Sequence, residues 1–386
     1  LLCDIAGAEG GTEVFLNRAI PALMKTGLPV RVLARTVRPG EYFEDIPIRQ
    51  IAWATEDEAG SESAALDVRR EIDAVRPTVV MTSNVFDTAI LREVRRVERF
   101  VVRLHDHRAF CPSGDRLFKQ FAAPCDLPMG TACLVNSVLR GCVCGPRPET
   151  LRRVRAREAT WKALCAADAM VVSSRYMAGL CAANGGSSAR TFVLPPPVDP
   201  GAYVATPAPA PAEPRLLFAG RIVPQKGLRS LVFALALVPE RVRPELRVAG
   251  ADSPELESSR ALASRLGVRL RHLGWLDQKG LWAAMDDVHA MAVPSLWPEP
   301  FGLVGIEAQA RGRPAVGYAI GGIPEWMGDA GRSVPVRNVR ALAEAIVSVT
   351  AEATWPSLSE AALRKAGSFR LDDYATNLRE ILCASS

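Results

Sequence analysis

Short apolar runs alternate with amphipathic stretches along almost the whole chain. In the first half the runs fall at Val30–Ala34, Thr78–Thr82, Phe100–Leu104, Ala169–Ser173 and Thr191–Leu194. Segments with helical spacing of apolar residues separate most of them, at Thr12–Thr26, Ser63–Val75 and Ala89–Glu98. The second half repeats the theme with runs at Arg215–Ala219, Leu246–Ala249, Val268–Leu273, Ala290–Pro294 and Pro314–Tyr318. Regular strand–helix alternation predicts parallel sheets covered by helices on both faces, because each crossover must pass over a face of the sheet. The expected class is α/β, with enough strands in each half for its own doubly wound domain.

The boundary shows in composition. Pro195, Pro196 and Pro197 end a strand, and Thr206–Pro214 reads TPAPAPAEP, which predicts an extended, semi-rigid connection. The expected division is residues 1–199, a linker at 200–213, a second domain at 214–368, and a terminal segment at 369–386. Leu371–Leu382 in that segment has helical spacing. Two domains joined in this way would face a central cleft, where ligands usually bind.

Composition narrows the function. The 386 residues are 48% apolar and 23% charged, an ordinary globular balance. No apolar run approaches the roughly 20 residues of a membrane-spanning helix. No basic segment followed by an apolar one marks a secretory leader, so a cytoplasmic location is expected. The net charge of +5 is spread over both halves, without the strong basic bias of a nucleic-acid-binding domain. Residues 101–162 stand apart, with 11 basic and 5 acidic groups. They read either as a solvated helix face, around Arg152, Arg153, Arg155 and Arg157, or as a surface for an anionic or membrane-bound acceptor at the inner membrane face.

Two constellations carry chemistry. Gly220-Arg221-Ile-Val-Pro-Gln-Lys226-Gly227 follows the strand Arg215–Ala219 and precedes a helix at Leu228–Leu237. Arg221 offers a rigid fork of donors and Lys226 a compact charge. With a helix start beside them they suit a diphosphate, though a solvated basic turn would read the same. The second is Glu299-Pro-Phe301-Gly302-Leu303-Val-Gly-Ile-Glu307, entered from the strand Ala290–Pro294. Pro298 and Pro300 keep the helix from starting before Leu303. Glu299 then lies in a loop and Glu307 on the second helical turn, too far apart along the helix for an acid–base pair facing one glycosidic bond. They read as acceptors for ligand hydroxyls, with the N–H groups of Phe301, Gly302 and Leu303 open to an anion. The alternative is that Glu299 caps the helix and Glu307 faces solvent.

The two motifs, in this order and separation, resemble those of the family-4 retaining glycosyltransferases with the two-domain, Rossmann-like GT-B fold. Ile320-Gly321-Gly322-Ile323-Pro324-Glu325 matches a recurrent segment of the same family. The resemblance implies that Arg221 and Lys226 bind the donor diphosphate. It also implies that Glu299 contacts the donor sugar, Glu307 the ribose, and Gly274-Trp275-Leu276 the base. It implies no divalent metal for catalysis and no cofactor beyond a nucleoside-diphosphate sugar donor, with UDP favoured. The partner would be a carbohydrate, lipid-linked or small-molecule acceptor. In the first half, Ala8-Glu9-Gly10-Gly11-Thr12-Glu13 resembles the family's Gly-Gly turn, and His105 the histidine that contacts the donor sugar. The last helix would cross back to the first domain. A nucleotide-sugar epimerase on the same fold, or a non-catalytic binding module, stays open.

Five of the nine cysteines, Cys111, Cys125, Cys133, Cys142 and Cys144, cluster in one segment at about 106–148. It resembles a cysteine-bearing insertion of a subset of these transferases. Reduced structural thiols, a structural metal site and disulfides all fit the spacing, which lacks a Cys-x2-Cys pair. Cys3, Cys165, Cys181 and Cys383 are scattered and read as core.

Overall fold

The computed structural model describes residues 1–6, 11–38, 46–53, 61–118, 123–142 and 147–384. They form two compact units, Leu1–Pro197 with Leu371–Ser386, and Val198–Arg370.

The first unit has strands β1 (Leu2–Ala6), β2 (Val32–Val37), β3 (Ile48–Gln50), β4 (Val79–Ser83), β5 (Arg99–Arg103), β6 (Leu117–Phe118), β7 (Ala123–Pro124), β8 (Ala169–Val172) and β9 (Thr191–Val193). Seven of them form a parallel sheet in the order β3-β2-β1-β4-β5-β8-β9, while β6 and β7 make a small antiparallel ladder. Its helices are α1 (Gly11–Lys25), α2 (Glu62–Val75), α3 (Thr88–Val94), α4 (Thr131–Leu139), α5 (Arg147–Leu164) and α6 (Arg175–Ala183). Side-chain oxygens of Ser61, Asp87 and Ser174 cap α2, α3 and α6 and satisfy their first N–H groups. The pattern of apolar positions does not predict β1. Asp4 interrupts it, and is accommodated because Arg35 of β2 donates to it at 2.6 Å.

The second unit has β10 (Arg215–Ala219), β11 (Glu245–Ala249), β12 (Leu270–Gly274), β13 (Ala290–Val293), β14 (Ala315–Tyr318) and β15 (Gly331–Val334), all parallel, in the order β12-β11-β10-β13-β14-β15. Around it lie α7 (Leu228–Leu237), α8 (Pro254–Arg265), α9 (Gln278–Asp286), α10 (Leu303–Ala310), α11 (Ile323–Met327), α12 (Val339–Thr350) and α13 (Trp355–Ala366). The strands β10, β13 and β14 are buried through most of their length, as expected of strands covered on both faces. In both sheets the winding reverses beside the strand that starts the unit, between β1 and β4 and between β10 and β13.

The Pro/Ala stretch, expected as an extended, semi-rigid connection, packs on the second unit. The division falls after Pro197, and Val198 is fully buried in the second core, its N–H bonded to Phe369 O at 2.9 Å. Buried Arg313 donates to Ala208 O at 2.8 Å, and a Cβ on Gly312 would come within 2.6 Å of the Pro207 ring. Prolines leave carbonyls unpaired by any ladder, and these become the partners that a buried guanidinium needs. The chain returns to the first unit with α14 (Leu371–Cys383), which packs against α1.

The cysteine segment forms a lobe of the first unit. Cys111, Cys125, Cys133 and Cys142 line one cavity with Arg116, Leu117, Phe118, Ala132 and Asn136, and all four are free thiols. Burial raises the pKa of Cys125 and Cys133, and the neighbouring thiols push them the same way. Among the described residues, no group of three His, Cys, Asp or Glu is arranged to hold a metal ion. Cys144 lies outside the described residues. Cys3 and Cys181 are buried and Cys165 is half-buried, but Cys383, expected in the core, is exposed on the last turn of α14. The basic excess of residues 101–162 does not form one surface either. Arg103, Arg116 and Arg157 are buried, and Arg152 and Arg153 both pair with Glu149.

Two outcomes test this packing. A Cβ on Gly305 would stand 2.0 Å from the ring of fully buried Trp326, so Gly305→Ala overpacks the second core despite the better helix propensity of alanine. A destabilisation of about 1–3 kcal/mol is expected in urea unfolding, and an unchanged midpoint would refute the contact. Burial holds His107 neutral down to about 3 and His289 down to about 4, with Arg116 beside the first and Arg313 and Arg215 beside the second. The unfolded chain protonates near the ordinary value of 6.5, so it binds more protons below that pH. Stability is therefore full above about pH 6.5 and falls steadily towards pH 4. Unfolding midpoints that do not move over that range would contradict the burial of these rings.

Candidate functional site

The site in the second unit is built where the sheet changes winding direction, at the carboxyl ends of β10 and β13. Neighbouring loops diverge at such a point and leave room for a ligand. The loop after β10 runs from Gly220 to Gly227. Gly227 has φ +75°, and a Cβ there would lie 2.0 Å from Pro294 O, so only glycine permits this approach to the loop after β13. Gln225 O then accepts from the N–H groups of Leu296, at 2.8 Å, and Trp297, at 3.2 Å. Backbone contact thus sets the register of the two loops before any charge is considered.

That register brings Lys226 to Glu299. The ammonium donates to Glu299 Oε1 at 2.7 Å and lies 5.4 Å from the centroid of the Trp297 ring. The lysine side chain is 23% exposed and the glutamate 9%, so the pair is open on the cation's side. Glu299 is held from behind by the turn after β14. Gly322 N–H donates to its carbonyl at 2.7 Å, and a Cβ on Gly321 would lie 2.2 Å from the same oxygen. The Gly321-Gly322 pair, noticed in the sequence as a recurrent segment, is therefore a clamp on Glu299. Arg221 is exposed, and its guanidinium makes no hydrogen bond or ion pair with any described residue.

Glu299 does not cap α10. The cap is Gly302, at φ +114°, with no side-chain bond to the helix. Trp326 explains this glycine. Its indole N–H donates to Phe301 O at 2.6 Å, and its ring lies against Gly302 and Gly305. Glu307 does not face solvent either. It is buried on α10, with Gln278 Nε2 of α9 at 3.5 Å from Oε2. Leu303 opens the helix and is half-buried.

A third feature at this edge was not legible in the sequence. Gly220 N–H donates to Ala249 O at 3.0 Å, Gly250 N–H donates to Gly274 O at 2.8 Å, and a Cβ on Gly250 would lie 2.4 Å from Gly220 O. Glycines at the carboxyl ends of β10, β11 and β12 thus stack backbone on backbone, with His272 Nε2 2.8 Å from Gly250 O. Gly250 at the end of a strand was the available signal. Trp275 follows Gly274 and is 74% exposed, the most exposed large apolar side chain among the described residues.

In the first unit, His105 stands just beyond β5. Ser83 Oγ at the end of β4 is 2.8 Å from its Nε2, its N–H reaches Asn84 Oδ1 at 3.4 Å, and the Phe15 ring of α1 lies 5.0 Å away. Burial holds the imidazole well below its ordinary range, helped by the charges of Arg103 and Arg108. It is therefore a neutral hydrogen-bonding ring at physiological pH. His107 is fully buried beside Tyr176, which makes it a core residue of the cysteine lobe. Gly11 opens α1 and is exposed, while Ala8, Glu9 and Gly10 of the same turn lie outside the described residues.

Residues 213–352 match the family described as Glycosyl transferases group 1. A D-inositol 3-phosphate glycosyltransferase of Xylanimonas cellulosilytica is 38% identical over 202 residues, which cover 46% of each chain. The chain thus spans about half the length of the curated relatives it matches. The sucrose-phosphate synthase of Thermosynechococcus elongatus superposes with a TM-score of 0.70 at 20% identity, covering 100% of this chain and 99% of that one. The Anabaena protein HepE, in complex with UDP-glucose, superposes with 0.69 at 18% identity and the same coverage. Residues 213–352 are thus similar to the glycosyl transferases group 1 model, and the chain's two-domain α/β fold with parallel sheets matches that of GT-B glycosyltransferase structures.

Proposed function

We propose that this chain is a retaining glycosyltransferase that moves a sugar from a nucleoside-diphosphate sugar to an acceptor hydroxyl on a glycan, glycolipid or natural product. The observation that carries the reading is the Lys226–Glu299 pair at the carboxyl edge of the second sheet, with the exposed Arg221 on the same loop. A cation and a carboxylate side by side can hold the two ends of a sugar phosphate, the phosphate by charge and the sugar hydroxyls by hydrogen bonds. HepE in complex with UDP-glucose supports a UDP-sugar as donor. Family resemblance supports retention, a ribose contact by Glu307, a base near Trp275 and a sugar contact by His105.

In this reading Arg221, Lys226 and the N–H groups at the start of α10 (Phe301, Gly302, Leu303) stabilise the charge that grows on the departing phosphate. The phosphate oxygen takes the acceptor's proton as the new bond forms, so no strongly basic side chain is needed. His105, held neutral, donates or accepts a hydrogen bond without bringing a charge to the sugar. When the diphosphate arrives, Lys226 turns from Glu299 to the phosphate and frees the carboxylate for sugar hydroxyls.

Two variants test these roles. Lys226→Ala removes a charge-assisted contact of about 1.5–3 kcal/mol, so UDP affinity and turnover are each expected to fall by about tenfold or more. Wild-type kinetics and calorimetry in a folded Lys226→Ala protein would sink the diphosphate assignment. Glu299→Gln releases Lys226 from its partner, so UDP binds equally or more tightly while turnover falls, and added azide restores nothing. A trapped glycosyl azide from Glu299→Ala would show instead that Glu299 does covalent chemistry. Nuclear magnetic resonance of the product's anomeric centre decides retention.

A further inference from the structure

A cation is buried without a counter-ion among the described residues, beside the proposed His105 site. Arg103 ends β5, and the residue is 1% exposed. One of its terminal N–H groups donates to Leu194 O at 2.9 Å, and its Nε has no partner among the described residues. No carboxylate lies within ion-pair distance of it among the described residues. The guanidinium is lodged between two rings instead, 5.1 Å from the centroid of Phe15 and 5.8 Å from that of Tyr374. Tyr374 comes from α14, and its buried hydroxyl also has no partner among the described residues. The two rings meet edge to face at 5.5 Å, and Phe15 packs on His105 at 5.0 Å.

Such an arrangement is poor for stability. A buried guanidinium loses its hydration, and two ring faces and one carbonyl return only part of it. A methionine would fill similar space without that cost. We infer that Arg103 is a positioning residue for His105, and that the C-terminal helix, through Tyr374, is what keeps Arg103 in place. The cluster draws on α1, β5 and α14, so the last helix of the chain, remote in sequence, supports the residue that follows β5. Arg103 acts on the ring in two ways. It fixes the packing of Phe15 against the imidazole, and its charge disfavours a second positive charge there. Of the other groups around His105, Arg108 is also cationic but is held by Asp106, while Ser83, Asn84 and Phe15 carry no charge. The functional consequence rests on the proposed role of His105 as a sugar contact.

The chain has only four histidines, so imidazole resonances of the full-length protein are separable, and His105→Gln identifies the one of interest. In the wild type that resonance should titrate well below the ordinary imidazole range. In Arg103→Met its midpoint should rise by about one unit or more, because a nearby positive charge is gone. Arg103→Lys, which keeps the charge, should restore the wild-type titration. Turnover of Arg103→Met should fall about tenfold with the donor KM within about twofold. Should Arg103→Met fail to fold, Tyr374→Leu opens the same cluster to water and should raise the midpoint in the same direction. A His105 titration in the folded variants that matches the wild type overturns the inference. A shifted titration with wild-type turnover in both Arg103→Met and His105→Gln upholds the positioning of His105 and overturns its part in sugar transfer.

Discussion

The second unit depends on one contact, the approach of Gly227 to the carbonyl of Pro294. Where the winding of a parallel sheet reverses, the loops after the two central strands leave in opposite directions, and nothing in the sheet itself joins them. A glycine in left-handed conformation lets one loop lie directly on the other. Gln225 O can then accept two N–H groups from the partner loop, and every side chain that follows is registered to the same frame. A Cβ at this position would separate the loops, and with them Lys226 and Glu299.

The two units treat positive charge in opposite ways. Lys226 is partly hydrated and has a carboxylate partner, so its charge can be handed to an incoming anion at small cost. Arg103 is buried, bonded to one carbonyl and flanked by rings, with no carboxylate partner among the described residues, so its charge acts on its surroundings. Arginine suits the second task because its delocalised charge tolerates aromatic faces better than an ammonium does. Lysine suits the first because a compact charge on a flexible stem can turn from one oxygen to another.

Legibility in the sequence followed the continuity of apolar runs. Strands covered on both faces, such as β10, β13 and β14, are continuous apolar runs and stand out. The strands β1, β3 and β15 are short or interrupted by polar residues that find partners only across the sheet, as Asp4 does with Arg35. The Pro/Ala stretch reads as an extended, semi-rigid connection because proline density reports backbone stiffness and says nothing about what packs on it. The arginines of residues 101–162 looked like a surface because charge counts carry no direction. Arg103, Arg116 and Arg157 point inward, where carbonyls and rings receive them.

By itself the sequence determined the α/β alternation, two doubly wound units, and the residue types needed for an anion and a hydroxylated ligand. These follow from local periodicity and from motifs short enough to be read in one stretch. Only the tertiary structure decided that Lys226 and Glu299, 73 residues apart, are one pair. It alone decided that Gly321 and Gly322 hold Glu299, that Trp326 explains Gly302 and Gly305, and that a C-terminal tyrosine lies against Arg103. Each of these is a contact between segments distant in the chain. Its energy depends on ångström-scale approach of backbone or ring, and spacing along a sequence does not encode that distance.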